Sequence, residues 1–164
     1  MSATDSRPLL APIVTRAVNT VLNTQFRLTA EPLDEHPARL CGYAAQLRSL
    51  ISMSGARVGG EICLSLPDTL ANMLVAHMLG LPDTTTASAA DKLDLAGEFC
   101  NMLAGQIGAA LTLSGYLNDL STPRVRRVNA DEPPDTDRES VFDGAWQCAG
   151  LPFTLSLSLR FDPS

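Results

Sequence analysis

No stretch of this chain approaches the roughly 18 unbroken apolar residues that a membrane-spanning helix needs. An excess of positive charge is also missing. Lys and Arg number 12 against 18 Asp and Glu, a formal net charge of -6. An acidic domain repels phosphate backbones and anionic lipid, so neither nucleic acid nor a membrane surface is expected as a partner. The dense basic cluster, Arg124, Arg126 and Arg127, alternates as strand residues do and reads as a solvated strand face. The N-terminus has no signal-peptide character: Asp5 and Pro8 precede its apolar run and no small-residue cleavage site follows. A cytoplasmic location is therefore expected. The four cysteines, Cys41, Cys63, Cys100 and Cys148, form no C-x-x-C pair, and no His stands at metal-ligand spacing. No metal site is expected, and the thiols read as reduced and mostly buried. Gly55, Gly59 and Gly60 are followed by no Gly-Lys-Ser/Thr, so they mark a hairpin turn and not a phosphate loop. There is no Gly-x-Ser-x-Gly nucleophile motif, and His36 and His77 fit no triad.

What is present is ordinary globular material. The 164 residues are 45% hydrophobic, enough for one domain over 1–164 with an ordered core of about 9–161. Leu9 to Leu28 reads as an amphipathic helix with Pro12 in its first turn. Glu31 to Arg39, with two prolines and several charges, reads as a loop. Ala45–Ser54 and Val58–Leu66 alternate with a period of two and are joined at Gly55–Arg57, which predicts a hairpin. Pro67 to Leu79 is a second helix, stopped by Gly80 and Pro82. After a polar loop, Ser88 caps a third helix from about Ala89 to Ser114, with Asp91 three residues on as a loose capping box. Pro123–Asn129 reads as a short strand and Ala130–Glu139 as an exposed acidic loop. Val141–Cys148 and Pro152–Phe161 form a last hairpin, whose final strand shows one buried and one wet face. The fold class is α/β in the broad sense, α+β in detail: a mostly antiparallel sheet with long helices on one face. Asn72-Met73-Leu74 recurs as Asn101-Met102-Leu103, a faint sign of duplication.

The third helix carries the most information. On a wheel of about 100° per residue, Asp94, Glu98, Asn101, Gly105, Gly108 and Thr112 fall within an arc of about 80°. Apolar residues cover most of the remainder. The helix is thus largely buried, with one open slot holding two carboxylates and an amide, then running smooth at the two glycines. Two readings stand at this point. Either the polar residues are a solvated face and the glycines a site of close helix packing, or the slot is a docking surface whose charged end enters a partner's active site.

The run Asp94-Leu95-Ala96-Gly97-Glu98-Phe99-Cys100-Asn101-Met102-Leu103-Ala104-Gly105 closely resembles the signature helix of the CheC/CheX/FliY family of bacterial chemotaxis and flagellar phosphatases. That pattern is an acid or Ser, Glu four residues on, Asn three further, and then a Pro, for which Pro123 stands at the family's interval. Ile51-Ser52-Met53-Ser54-Gly55, Gly60-Glu61-Ile62 and the helix to Met78-Leu79-Gly80 look like the first half of CheX. Members with two sites carry Glu-x-x-Asn twice. Here the first-half counterpart has Asn72 but Thr69 in place of Glu, so the chain is similar to the single-site, CheX-type members.

The resemblance implies a pseudo-duplicated CheC/CheX-like fold and an aspartyl-phosphate phosphatase acting on a phosphorylated CheY-like receiver domain. Glu98 and Asn101 would be catalytic: Asn101 orients a water and Glu98 meets the receiver's lysine, with general base work by Glu98 the lesser role. Asp94, Gly105 and Gly108 would bind the partner, although Asp94 also reads as a charge favouring the helix N-terminus, and Pro123 as shaping a turn. No cofactor of its own is implied, since Mg²⁺ would come with the receiver. Association into a homodimer through sheet edges is implied as well. The non-catalytic alternative is a module that binds and sequesters a response regulator through the same helix. A structural subunit of a flagellar switch is a third class, against which the absence of an obvious switch-binding tail speaks.

Overall fold

A computed structural model describes residues 9–34, 46–129 and 140–162. The elements in chain order are α1 (Leu10–Val21), β1 (Ala30–Pro32), β2 (Gln46–Ser54), β3 (Val58–Pro67), α2 (Asp68–Leu79), α3 (Ala89–Leu113), β4 (Asp119–Leu120), β5 (Arg124–Val128), β6 (Phe142–Cys148) and β7 (Leu151–Phe161). The strand pairs of the described residues are all antiparallel, in the order β1-β6-β7-β3-β2, with β4 and β5 one after the other along the outer edge of β2. The two long hairpins meet through their second strands, β3 and β7. A duplicated unit would be arranged in this way.

The period-two alternation decides which face the helices cover. Leu47, Ile51, Met53, Ile62, Leu64, Leu66, Phe153, Leu155, Leu157 and Leu159 share one buried cluster with Val14, Val18 and Leu22 of the N-terminal helix, Leu70 and Leu74 of α2, and Phe99, Leu103 and Ile107 of α3. Leu50, although buried, lies on the opposite side of β2 and is outside that cluster. The described helices α1, α2 and α3 therefore all pack on one face of the sheet.

Helix ends follow the local chemistry. The Ser88 side chain accepts a hydrogen bond from Asp91 N at 3.1 Å, the expected N-cap of α3. At the other end Gly115 takes φ 92° and Tyr116 N returns to Leu111 O. α2 closes in the same manner, with Gly80 at φ 66° and Leu81 N bonded to Ala76 O. The N-terminal helix ends in a wide turn, Leu22–Phe26, and Arg27 at φ 56° halts it short of Leu28.

Two expectations need correction. Glu31 and Pro32 do not lie in a loop: they belong to β1, which pairs with Trp146–Cys148. Proline is tolerated there because β1 is an edge strand. The second face of β7 is not uniformly wet: Thr154 and Ser158 are only 9% and 4% exposed, while Ser156 between them is half-buried. With β3 on one side and β6 on the other, small side chains in a central strand are shielded by their neighbours. The arginines of β5 are exposed, as expected, although Arg127 also reaches the helix side, where it meets Asp68 Oδ1 at 2.9 Å. The two-residue β4 has no sequence signal of its own. The reading of Ala130–Glu139 as an acidic loop lies outside the described residues, as do His36 and Cys41.

Candidate functional site

α3 is fixed from below. Phe99 sits edge-on between Phe26 and Phe153, with centroids 5.6 and 5.7 Å away. Cys100, one residue on, donates weakly to Ser49 O, and burial pushes its thiol up to about 12. It is a neutral packing group and no nucleophile. Buried Leu95, Ala96, Leu103, Ala104, Ile107 and Leu111 complete the underside.

With that face committed to the core, the opposite stripe is left to solvent. Asp94, Glu98, Asn101, Gly105 and Thr112 are all exposed. The side chains of Asp94, Glu98 and Asn101 make no hydrogen bond or ion pair among the described residues. Among the described residues these groups brace nothing, and they are mounted on a helix whose far face is locked. A rigid element with unengaged polar groups is what a positioning site requires. Asp94 lies past the first turn of α3, whose acid is Asp91. The helix-dipole effect fades within that turn, so the electrostatic reading of Asp94 loses ground.

The glycines divide. Gly105 is open, and a Cβ there would meet nothing within 4 Å. Gly108 is buried and does not line the slot. A Cβ on it would sit 2.7 Å from Asn118 Oδ1, and Asn118 Nδ2 donates to the Gly108 carbonyl at 2.9 Å. The docking reading thus suits Gly105, and the close-packing reading suits Gly108, because Gly108 falls at the edge of the stripe where the chain returns to β4. Gly97 works like Gly108. A Cβ there would approach Val125 Cγ2 to 3.1 Å and Pro123 Cγ to 3.5 Å. Pro123 therefore rests against the helix one residue before Glu98, and walls that flank of the stripe besides turning the chain.

The first-half counterpart is spoken for. Asn72 Nδ2 donates to Thr85 O at 2.7 Å, and its Oδ1 accepts from Ala87 N at 2.6 Å. Its amide pins the loop between α2 and α3 and is not presented to solvent as Asn101 is. Beside it, Asp68 binds Lys92 Nζ at 2.8 Å and Arg127 at 2.9 Å. Burial alone would raise the Asp68 carboxyl, but the two cations outweigh it and hold it below its ordinary value. This brace ties the start of α3 to α2 and β5.

A shallow groove between the last turn of α2 and the first turns of α3 runs into the stripe and shares Asp94 and Glu98 with it. Sequence reasoning missed it, since Met78 and Leu79 read simply as the end of a helix. Among the described residues, no cluster of three or more His, Cys, Asp or Glu could hold a metal ion. No helix among them is long and apolar enough to cross a membrane.

The fold and the stripe define a small α+β domain that offers an acid and an amide on a rigid helix. The chain belongs to the CheX family: the family profile described as chemotaxis phosphatase CheX matches residues 48–134, more than half of the 164 residues. That match includes nearly all of the hairpin β2/β3 and the whole of α3. Among solved structures, the chemotaxis protein CheX from Vibrio vulnificus is similar with a TM-score of 0.77 at 20% identity, over 96% of this chain and 100% of that one. The CheX–CheY–BeF3–Mg complex from Borrelia burgdorferi matches with a TM-score of 0.67 at 13% identity, over 94% and 99%. FliY from Thermotoga maritima matches with a TM-score of 0.65 at 21% identity, over 96% and 92%. At such identities the likeness concerns the fold. No curated protein sequence matches the chain.

Proposed function

We propose that this protein hydrolyses the aspartyl phosphate of a CheY-like receiver domain, in the cytoplasm, within chemotaxis or a related two-component pathway. The carrying observation is the exposed and unengaged pair Glu98 and Asn101, one turn apart on a helix whose other face is buried. The family's name and the complex of a similar protein with CheY support the same reading.

Hydrolysis adds water to phosphorus and breaks the bond between phosphorus and the aspartate oxygen. Inorganic phosphate leaves and the carboxylate is restored. Such a transfer is accelerated chiefly by positioning and charge stabilisation. The Asn101 amide both donates and accepts, so it can hold a water in line without acting as a base. Glu98 meets the receiver's lysine and sets the helix against the phosphorylated site, while Asp94 adds negative charge to the docking edge. Gly105 keeps the stripe low, so that the partner can approach. The divalent cation of the reaction, Mg²⁺, belongs to the receiver, and this chain supplies no cofactor. The protein associates as a homodimer through a sheet edge. The rim formed by β5 carries three arginines, which resist strand pairing, so the rim at β1 is the better candidate.

Phosphate release from a receiver loaded with a small phosphodonor tests the proposal. Asn101→Ala should fold normally, bind the receiver, and lose about 10²-fold or more in rate. A variant as fast as wild type would refute the water-positioning role. Tight binding by wild type with no acceleration would establish a sequestering module instead.

A further inference from the structure

The stripe is narrow, and one helix face offers little area for recognising a partner. Next to it the molecule carries a second feature that the fold does not need. Met78, Leu79 and Leu81 are 43%, 59% and 43% exposed, although each is large and apolar. They protrude because α2 ends there and the chain turns at Gly80. Between this apolar lip and α3 lies the groove of about 240 Å³, lined by Val75, Met78 and Leu79 on one side and Asp91, Asp94 and Glu98 on the other. Its volume falls below the roughly 300–1,000 Å³ of small-molecule sites, and it is open along its length. It has room for one or two side chains and not for a metabolite.

We propose that this groove is the second half of the receiver-docking surface, and that it takes an aliphatic side chain of the receiver flanked by a lysine or arginine. The inference rests on the proposed function, because the groove shares Glu98 and Asp94 with the catalytic stripe. Charge selects the occupant. Three carboxylates line one wall, and Asp94 and Glu98 have no cationic partner among the described residues. A second copy of this chain would bring the same acids against them about a twofold axis, whereas a basic edge on the receiver would be attracted. The apolar wall supplies affinity by losing water, and the acidic wall supplies orientation. Recognition and chemistry are thereby separated: the groove holds the receiver while Asn101, one turn beyond Glu98, acts on the phosphate.

The test pairs Met78→Ser/Leu79→Ser with Asn101→Ala in the full chain. The probe is a CheY-like receiver domain activated with beryllofluoride and Mg²⁺ for affinity, and the same receiver phosphorylated for turnover. The double variant should weaken affinity about tenfold and raise KM to match, with kcat at saturating receiver unchanged. Asn101→Ala should do the reverse. Met78→Gln, which keeps length and flexibility, should give a smaller loss in the same direction, and it serves as the reading variant if the double change lowers the unfolding midpoint. Unchanged affinity in Met78→Gln and the double variant would overturn the groove while leaving the phosphatase reading intact. A fall in kcat with affinity preserved would overturn it too. A wild-type protein that neither binds the activated receiver nor releases its phosphate would overturn both.

Discussion

Gly105 and Gly108 stand three residues apart in one helix, and the structure assigns them opposite responses to the same methyl group. In a helix interior, Gly→Ala removes a conformational penalty of about 0.5–1 kcal/mol. At Gly105 nothing lies within 4 Å of the new Cβ, so the gain is realised in full. Gly105→Ala should therefore be more stable than wild type by about 0.5–1 kcal/mol, a rise of roughly 1–4 °C in Tm for a chain of this size. At Gly108 the methyl would arrive 2.7 Å from Asn118 Oδ1. That side chain has no freedom to give way, because its Nδ2 donates to Gly108 O and to Tyr116 O, each at 2.9 Å. Displacing it breaks two partly buried hydrogen bonds worth about 0.5–1.5 kcal/mol each. The helix-propensity gain offsets only part of this, so Gly108→Ala should lose about 1 kcal/mol net. The two variants should thus differ by about 2 kcal/mol, read from urea midpoints at constant slope. Receiver affinity adds a second axis. Gly105→Leu should keep its stability and block docking by bulk, while Gly108→Ala should dock normally. The reasoning fails if Gly105→Ala is destabilised, if Gly108→Ala matches wild type, or if Gly105→Leu binds the receiver undiminished.

Thr69→Glu placed in an Asn101→Ala background restores the Glu-x-x-Asn spacing in the first half, yet it should stay inactive in phosphate release. The reason is that the Asn72 amide is held by Thr85 and Ala87; recovered turnover would show that this side chain is available after all. Asp68→Asn should lower stability at neutral pH. The Asp68 carboxyl lies below its ordinary 3.8 in the folded chain because of Lys92 and Arg127, so its contribution is full above that unfolded value and fades as pH falls through the folded one. Chemical denaturation at pH 7 and at pH 3 should show the gap between variant and wild type closing in acid; a gap that persists would remove the electrostatic cause. Light scattering at micromolar concentration should give a dimeric mass, and a monomer would refute association through the sheet edge.

The sequence by itself determined most of the framework. Alternation over Leu47 to Leu66 and over Phe153 to Phe161 set both hairpins, and Ser88, Gly80 and Gly115 set the helix ends, because caps and period-two patterns are local physics. It also singled out Asp94, Glu98 and Asn101, since a polar stripe on an otherwise apolar helix is visible on a wheel. What it could not determine depends on neighbours distant in the chain. Gly105 and Gly108 look alike in sequence and differ only because Asn118 returns beside one of them. Asn72 and Asn101 sit in the same tripeptide, and only the loop packed over α2 makes the first a strut and leaves the second exposed. Thr154 and Ser158 alternate as wet residues do, yet their strand lies inside the sheet and is flanked along both edges by β6 and β3. Met78 and Leu79 line a groove only because the tertiary fold laid the end of α2 beside the acids of α3. Burial and proximity are properties of pairs of residues, and pairing across the chain is settled by the packed structure.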